Sequence, residues 1–371
     1  MTIIPPIVKT MKQKLFNRLR AVLPVTIFGI SVVFLSTGSL AEKAKDRAVI
    51  GTPTANPPRA SCSSSSVGMF YGMDGHVAQG GPYNTNDDAT QIVQLKALGM
   101  TVYAQDVWDT VSAQRVARLA RIAVPACVGL LTVLVPDLKH AADEATAYRD
   151  GRKLGTTAAT AMQGLVHYYQ VGNECDNDAI VYGHGNYAEE YDILKFTKAR
   201  GSILGMIDGV KAVDPSAKIL MCSMSWMHYG FTDMLSAGSQ PDGTRGHPVP
   251  QWDITAWHWY SDMNDITDAH GINVLQHLKD TYHKPIWITE YGARPALSES
   301  QAGLYLVGTK ALAGFVANAR AYDIQNVDLY SLYDDRVNGG DGDYGVIENN
   351  AVKKKRRYEV IKHFIATHPM P

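Results

Sequence analysis

The sequence predicts a single (β/α)8 barrel, an α/β fold in which eight parallel strands alternate with helices. From about residue 67 onward, short apolar runs alternate with amphipathic stretches, and this alternation indicates a parallel sheet. Eight such units in roughly 300 residues match the usual size of a closed barrel. The segment 72–76 (GMDGH) also lacks the glycine-rich phosphate loop that an open nucleotide-binding sheet requires.

Each unit contributes one apolar run and one amphipathic stretch. The predicted strands are residues 67–73, 101–107, 123–134, 166–172, 218–225, 254–260, 285–289 and 327–332. Amphipathic stretches at 88–98, 113–121, 188–213, 274–282 and 299–321 predict helices between them. Pro125 and Pro136 interrupt the third unit, because proline cannot donate to the hydrogen-bond ladder of a sheet.

The first 41 residues have the pattern of an export signal, with the true start at Met1 or Met11. Basic residues up to Arg20 precede an apolar run over 21–35, and Ser39 and Ala41 supply the small residues of a cleavage site after Ala41. This run is short for a membrane span, although an uncleaved anchor is the alternative. We therefore expect a secreted or periplasmic protein, or one anchored by this segment.

Residues 42–65 are charged, proline-rich and serine-rich in turn, which predicts a flexible linker before a barrel domain over 66–371. The chain has 35 Lys+Arg and 36 Asp+Glu, and five of the basic residues but none of the acidic ones lie in the signal. The remaining chain is therefore mildly acidic. It has no electrostatic reason to bind nucleic acid or, after signal cleavage, a membrane. The sequence does not indicate an oligomeric state.

Four cysteines are widely spaced, at Cys62, Cys127, Cys175 and Cys222. The absence of any C-x-x-C pair argues against a zinc cluster or a disulfide-dense scaffold. Cys127 and Cys222 lie in predicted strands, where buried and unpaired cysteines are expected. One disulfide remains compatible with an exported protein.

Two glutamates follow apolar runs at the ends of predicted strands. Glu174 closes the fourth strand in the run YQVGNE, and Glu290 closes the seventh in the run PIWITE. The carboxyl ends of barrel strands form the active-site face. Two carboxyls at that face are what hydrolysis of a glycosidic bond requires.

Alternation along the seventh strand predicts Ile286, Ile288 and Glu290 on the inward face, with Trp287 packed outward. An ion pair with Arg294 is the purely structural alternative for Glu290. On the fourth strand, alternation would separate Asn173 from Glu174, so a bend at the strand end is required there.

The sixth predicted strand adds His258 and Tyr260, which alternation places on the same face. Directed inward, both reach the pocket of the glutamates, and the Tyr260 hydroxyl would hydrogen-bond a nucleophilic carboxylate. Aromatic residues at other strand ends are candidates for stacking on sugar rings: Trp108, Trp226 and Tyr333. Core packing is the alternative for each ring.

Other chemistries fit the sequence less well. It contains no H-E-x-x-H or comparable metal spacing and no G-x-S-x-G elbow. The basic run 353–357 is more typical of a solvated helix start than of a nucleic-acid site. We therefore expect neither a metal nor an organic cofactor.

In these motifs the chain resembles the large clan of retaining (β/α)8 glycoside hydrolases that contains cellulases, mannanases and β-xylosidases. The resemblance covers roughly residues 67–366. It rests on the runs 172–174 (GNE), 258–260 (HWY) and 287–292 (WITEYG), and on the ending 344–347 with 355–358. It implies that Glu174 is the acid/base and Glu290 the nucleophile of the reaction.

The same resemblance implies that Asn173 binds the sugar 2-hydroxyl, that Tyr260 orients Glu290 and that His258 lines the catalytic subsite. The chain departs from the clan in two places. Many members carry an arginine on the second strand, and residues 101–108 contain none. Many end the eighth strand with a tryptophan, for which Tyr333 is the substitute here.

The sequence thus predicts an exported retaining β-glycosidase acting on a polysaccharide or oligosaccharide, with its two carboxyls about 5–5.5 Å apart. The alternative is a non-catalytic carbohydrate-binding barrel associated with a cell-surface polysaccharide, which would not need both acids. The sugar, the linkage and the choice between endo and exo attack depend on loops, which carry no readable pattern.

Overall fold

The computed structural model describes residues 69–335 and 342–369. The strands are β1 (Tyr71–Gly75), β2 (Val102–Val107), β3 (Gly129–Leu134), β4 (Tyr168–Val171), β5 (Lys218–Leu220), β6 (Met224–Ser225), β7 (Thr255–Tyr260), β8 (Ile286–Gly292) and β9 (Ile324–Leu329). The helices are α1 (Asp88–Leu98), α2 (Thr110–Ala123), α3 (Glu144–Met162), α4 (Cys175–Ala179), α5 (Ile193–Val213), α6 (Tyr229–Ala237), α7 (Val274–Tyr282), α8 (Glu299–Leu306), α9 (Leu312–Tyr322) and α10 (Arg356–Thr367). The signal and linker predicted over residues 1–65 lie outside the described residues.

The strands form one closed parallel sheet. They pair in the order β5-β4-β3-β2-β1-β9-β8-β7-β6. β5 and β6 are two segments of one barrel strand, because β5 pairs with β4 while β6 pairs with β7. Bridges from Asn173 to Ser223 and from Leu220 to Ile254 continue this pairing on both sides. The sheet therefore has eight strand positions, and the predicted (β/α)8 barrel is confirmed.

The third unit differs from the sequence prediction. Residues 123–128 were expected in a strand, but α2 runs to Ala123 and a 3-10 turn over Val124–Ala126 follows it. Pro125 fits the first positions of that turn, where its missing N–H costs nothing. Cys127 then takes a left-handed φ of 62° and is disulfide-bonded. The expectation that Cys127 is unpaired is therefore wrong.

Two predicted helices have different bounds in the structure. The stretch 188–213 begins as a 3-10 turn, and α5 starts only at Ile193, where the Asp192 side chain accepts the Lys195 N–H. The stretch 299–321 is divided into α8 and α9 by residues 307–311. Among the described residues, no helix combines the length and apolarity needed to cross a bilayer.

The strand side chains pack in two layers. One cluster fills the barrel interior: Val102, Ala104, Leu131, Val133, Leu220, Ile254, Ala256 and Trp287. Residues on the other face of the strands, including Ile286 and Ile288, join the larger core beneath the helices. Trp287 therefore lies inside the barrel, and the prediction that it packs outward is wrong.

The pairing register between β7 and β8 shifts just before Glu290. Trp257 pairs with Ile288, yet the next residue of β7, His258, pairs with Glu290, so Thr289 is an extra residue. Such a bulge moves the following side chains to the other face of the strand. Glu290 consequently shares the inward face with His258, while Ile288 faces the helices.

The long helices α3 and α5 pack along a glycine-lined contact. Gly201, Gly205 and Gly209 recur at every fourth position of α5, and a Cβ on each would collide with a backbone carbonyl of α3. Next to them, the Arg200 guanidinium donates to both carboxylate oxygens of Glu144 at 2.7 and 2.8 Å. The distance between the two helices is therefore set by backbone contact.

We expect Gly205→Ala to lower the free energy of unfolding by about 1–3 kcal/mol, because overpacking at this contact outweighs the helix-propensity gain of about 1 kcal/mol. Urea denaturation of the purified protein measures the change. The matched control is Gly303→Ala in α8, where the nearest atom would be 3.7 Å from the added Cβ. Equal stability of the two variants would contradict the glycine-contact model.

Candidate active site

Glu174 enters the mouth of the barrel from a sharp bend after β4. Gly172 has φ 112° and Glu174 itself has φ 46°, a left-handed conformation that is uncommon outside glycine. The Glu174 N–H donates to the Ser223 carbonyl at 2.9 Å, and Asn177 Nδ2 donates to Glu174 Oε2 at 2.8 Å. This is the bend that the sequence required.

Glu290 meets Tyr260 across neighbouring strands. The Tyr260 hydroxyl donates to Glu290 Oε2 at 2.5 Å, and Glu290 is only 8% exposed. Burial, followed by the charge of Glu290, raises the pKa of Tyr260 well above its usual value. The phenol therefore keeps its proton and donates it in a hydrogen bond to the carboxylate.

His258 lies between the two glutamates and is fully buried. Its Nδ1 is 3.0 Å from Glu174 Oε1 and 3.4 Å from Glu290 Oε2. The nitrogen and one oxygen of each carboxylate all lie within 4.8 Å of one another. The structure thus brings together Glu174, His258, Tyr260 and Glu290, which the sequence selected separately.

The same three side chains, Glu174, His258 and Glu290, form a group whose donor atoms could converge on a metal ion. One imidazole nitrogen and two carboxylate oxygens are ligand types used by zinc and iron. However, the Glu290 oxygen that faces His258 already accepts the Tyr260 hydroxyl.

Asn173 and Arg294, which lie near this group, each have a partner outside it. Asn173 Oδ1 accepts the Ser223 hydroxyl at 3.2 Å, which holds the amide beside the Glu174 bend. Arg294 pairs with Asp262 at 2.8 Å, and its guanidinium stacks 4.1 Å from the centre of the Tyr260 ring. The structural alternative in which Glu290 serves as the ion-pair partner of Arg294 is therefore wrong.

The candidate sugar-stacking rings differ in their surroundings. Trp108 follows β2 and is 40% exposed. Trp226 follows β6 and is half-buried, with its ring 5.0 Å from His184 and 5.7 Å from His270. Both tryptophans lie on loops after strand ends, on the same face of the barrel as the glutamates.

Tyr333 is not available for stacking on a sugar. It is 2% exposed, its hydroxyl donates to Gln94 of α1, and its ring lies 4.8 Å from that of Tyr83. The ring is thus used in packing between the barrel and α1. The substrate contact predicted for Tyr333 is not supported by this arrangement.

An imidazole–carboxylate pair at the mouth was missed from the sequence. His76 Nδ1 lies 3.0 Å from Asp106 Oδ2, which also accepts Gln79 Nε2 at 2.9 Å. Burial lowers the pKa of His76, but the hydrogen bond and charge of Asp106, together with the charge of Glu290, leave it above its usual value. The signal was positional, because His76 and Asp106 stand at the ends of the first two strands.

Tyr330 is a further aromatic residue at the mouth. Its ring lies 5.4 Å from His76, 6.3 Å from Tyr260 and 5.2 Å from Tyr344. It therefore joins the β1 side of the mouth to the pair formed by Tyr260 and Glu290.

Asp328 is a buried carboxyl in the barrel interior. It is 0% exposed and lies so close to Gly72 that a side chain there would collide with the carboxylate. Burial raises its pKa from 3.8 to about 8, the nearby Asn326 side chain opposes the rise, and the charge of Glu290 adds to it. Asp328 is consequently protonated at neutral pH.

The Asp328 proton makes the stability of the protein depend on pH. The carboxyl holds its proton more tightly when folded, so its contribution is complete below pH 3.8 and is lost as pH rises through about 8. We expect the free energy of unfolding of Asp328→Asn to decline less than that of the wild type between pH 4 and about pH 8. Urea denaturation across this range measures it, with exposed Asp280→Asn as control. Parallel curves for wild type and Asp328→Asn would contradict the assignment.

Comparisons with known proteins show what the sequence and the fold are similar to. A sequence family described as the glycosyl hydrolase catalytic core matches residues 203–309, which contain His258, Tyr260 and Glu290. A search against curated protein sequences gives no significant match.

Solved structures share the fold at low sequence identity. The family 1 β-glucosidase from Thermotoga maritima has a TM-score of 0.60 at 13% identity, over 82% of this chain and 99% of that one. The β-glycosidase from Thermosphaera aggregans has a TM-score of 0.61 at 13% identity, over 82% and 97%. A family 39 glycoside hydrolase from Bacteroides cellulosilyticus has a TM-score of 0.56 at 14% identity, over 82% and 64%.

At such low identities the structural matches establish only the barrel fold. The family match is a match of sequence, and it covers the second half of the barrel, from α5 to α8. The matched core and the barrel around it therefore make the chain similar to (β/α)8-barrel glycoside hydrolases.

Proposed function

We propose that the protein is an exported retaining β-glycosidase that hydrolyses O-glycosidic bonds of a polysaccharide or oligosaccharide by double displacement. The closeness of Glu174 and Glu290 carries this proposal, since an oxygen of each lies within 4.8 Å of the other. Retaining enzymes hold their carboxyls about 5–5.5 Å apart, whereas inverting enzymes leave about 6.5–9.5 Å for a water molecule.

Glu290 is the nucleophile in this mechanism. The Tyr260 hydroxyl donates a 2.5 Å hydrogen bond to its carboxylate, which orients the acid. The carboxylate attacks the anomeric carbon, and the bond from that carbon to the leaving oxygen breaks. The product of this step is a covalent glycosyl-enzyme.

Glu174 is the acid and then the base. It gives its proton to the leaving oxygen during the first step. In the second step the carboxylate takes a proton from a water molecule, which attacks the anomeric carbon and releases Glu290. Asn173, held beside Glu174 by Ser223, binds the 2-hydroxyl of the sugar.

The leaving group occupies the Glu174 side of the mouth, because the acid must reach the leaving oxygen. Trp226 follows the neighbouring fifth barrel strand there, flanked by His184 and His270. A half-buried indole offers an apolar face to a sugar ring while the imidazoles supply hydrogen bonds. Trp108 on the opposite side, after β2, supplies a second ring for the substrate chain.

Export is supported by the signal-like first 41 residues and by the disulfide at Cys127, since structural disulfides persist mainly in oxidising compartments. Neither a metal nor an organic cofactor takes part in the proposed steps. The printed names of the structural relatives, among them a β-glucosidase, make β-glycosides the first substrates to try.

We expect the wild type to hydrolyse at least one member of a panel of aryl β-glycosides and β-linked polysaccharides. Glu290→Ala should lose at least 10³-fold in kcat/KM, because no glycosyl-enzyme can form. Glu174→Ala should lose about 10²–10⁴-fold on unactivated substrates, but much less on dinitrophenyl glycosides, whose leaving group needs no proton. Glu189→Ala, an exposed acid near the same loop, is the matched control.

Three further measurements separate the alternatives. Proton NMR of the first-formed sugar should show the β anomer, and the α anomer would contradict the retaining mechanism. Activity should persist in EDTA, and a loss reversed by a divalent metal would instead assign Glu174, His258 and Glu290 to metal binding. Binding of glycans without turnover of any panel member would favour the non-catalytic barrel.

A further inference from the structure

Two buried cysteines meet directly beneath the Glu174 bend. The sulfur atoms of Cys175 and Cys222 are 2.8 Å apart, and the two residues are 6% and 0% exposed. A Cβ on Gly172 would collide with both sulfurs, so the glycine leaves the space that the pair occupies. In this structure both cysteines are thiols.

The pair is close to the geometry of a covalent bond. A movement of less than about 1 Å would bring the sulfurs to the S–S bond length of about 2.0 Å. The Cys127 disulfide indicates that the chain matures where thiols are oxidised. A second thiol pair already in contact would meet the same oxidant during folding.

We propose that Cys175 and Cys222 form a disulfide in the exported enzyme, and that this bond positions the acid/base Glu174. The second part rests on the function proposed above. In the oxidation the two thiols give up two protons and two electrons. A thiol–disulfide oxidoreductase of the export compartment accepts them, and its own disulfide becomes a dithiol.

The bond would connect two parts of one hydrogen-bond network. Cys175 follows Glu174 directly, and Cys222 precedes Ser223, whose carbonyl accepts the Glu174 N–H and whose hydroxyl binds Asn173. A link between these two segments fixes the distance from the bend to the fifth barrel strand. It thereby restrains Glu174 in the left-handed conformation that directs its carboxyl to the mouth.

Burial also determines when the bond can form. Burial and the neighbouring Cys175 thiol raise the pKa of Cys222 well above its usual value, so little thiolate exists in the folded barrel. Thiol–disulfide exchange requires the thiolate. Oxidation therefore precedes closure of the barrel, and the finished bond resists reductants until the protein is unfolded.

Mass spectrometry tests the bond without reference to activity. Protein exported to an oxidising compartment is denatured in N-ethylmaleimide and digested without reductant. We expect the peptides of Cys175 and Cys222 to be linked to each other, and to become alkylated only after reduction in denaturant. Alkylation of both cysteines before reduction would overturn the proposal, even if no glycosidase substrate has been found.

Kinetics test the positioning role with Cys175→Ala/Cys222→Ala, which removes the bond and leaves no single thiol. The kcat/KM of this variant is compared with that of the wild type on the substrate identified by the panel. This constant reports the first chemical step. We expect a loss of about tenfold for substrates that need a proton on the leaving oxygen. The loss should be less than about twofold for the dinitrophenyl glycoside of the same sugar.

Cys127→Ala is the matched control, because it removes a disulfide just before β3, at the end of the barrel opposite the mouth. It should lower thermal stability without changing the ratio of the two kcat/KM values. An unchanged ratio in the double variant, with the cross-link proven in the wild type, would overturn the positioning role. If the double variant fails to fold, the peptide analysis of the wild type still decides whether the bond exists.

Discussion

The position of Glu290 depends on one extra residue in β8. Without the bulge at Thr289, the alternation that puts Trp287 inside the barrel would carry Glu290 to the helix side. β8 therefore has to place apolar side chains in the barrel interior and a carboxylate at the barrel mouth. Its first half fills the apolar interior, and its last residues deliver a carboxylate to Tyr260. The active-site group and the packed interior are compatible only because the register shifts between them.

The barrel mouth concentrates ionisable groups that burial would otherwise penalise. Glu290 is stabilised by the Tyr260 hydroxyl, and His258 contacts it together with Glu174. Deeper in the barrel, burial raises the pKa of Asp328, and the charge of Glu290 adds to that rise. Buried charges are tolerated when they are paired and hydrogen-bonded.

Sequence reasoning succeeded where a pattern reflects strand ends and failed where it depends on register. The eight-unit barrel and the meeting of Glu174 with Glu290 followed from alternation and position. Alternation counts residues without knowing the pairing, so it could not reveal the bulge that reverses Trp287. Long-range contacts were equally hidden, because nothing near Tyr333 in the sequence indicates that its hydroxyl binds α1. The pairing of His76 with Asp106 joins residues on different strands, which a reading of single motifs does not connect.

The glycine-lined contact between α3 and α5 has a consequence for exchanging parts between related barrels. Helices spaced by side chains can accept new neighbours by repacking, but helices spaced by backbone atoms require the exact partner surface. Residues 144–213 include both helices, β4 and the Glu174 bend. A chimaera should therefore inherit that segment whole. The loops after β7 and β8 lie outside it and are the places where a new substrate range could be grafted.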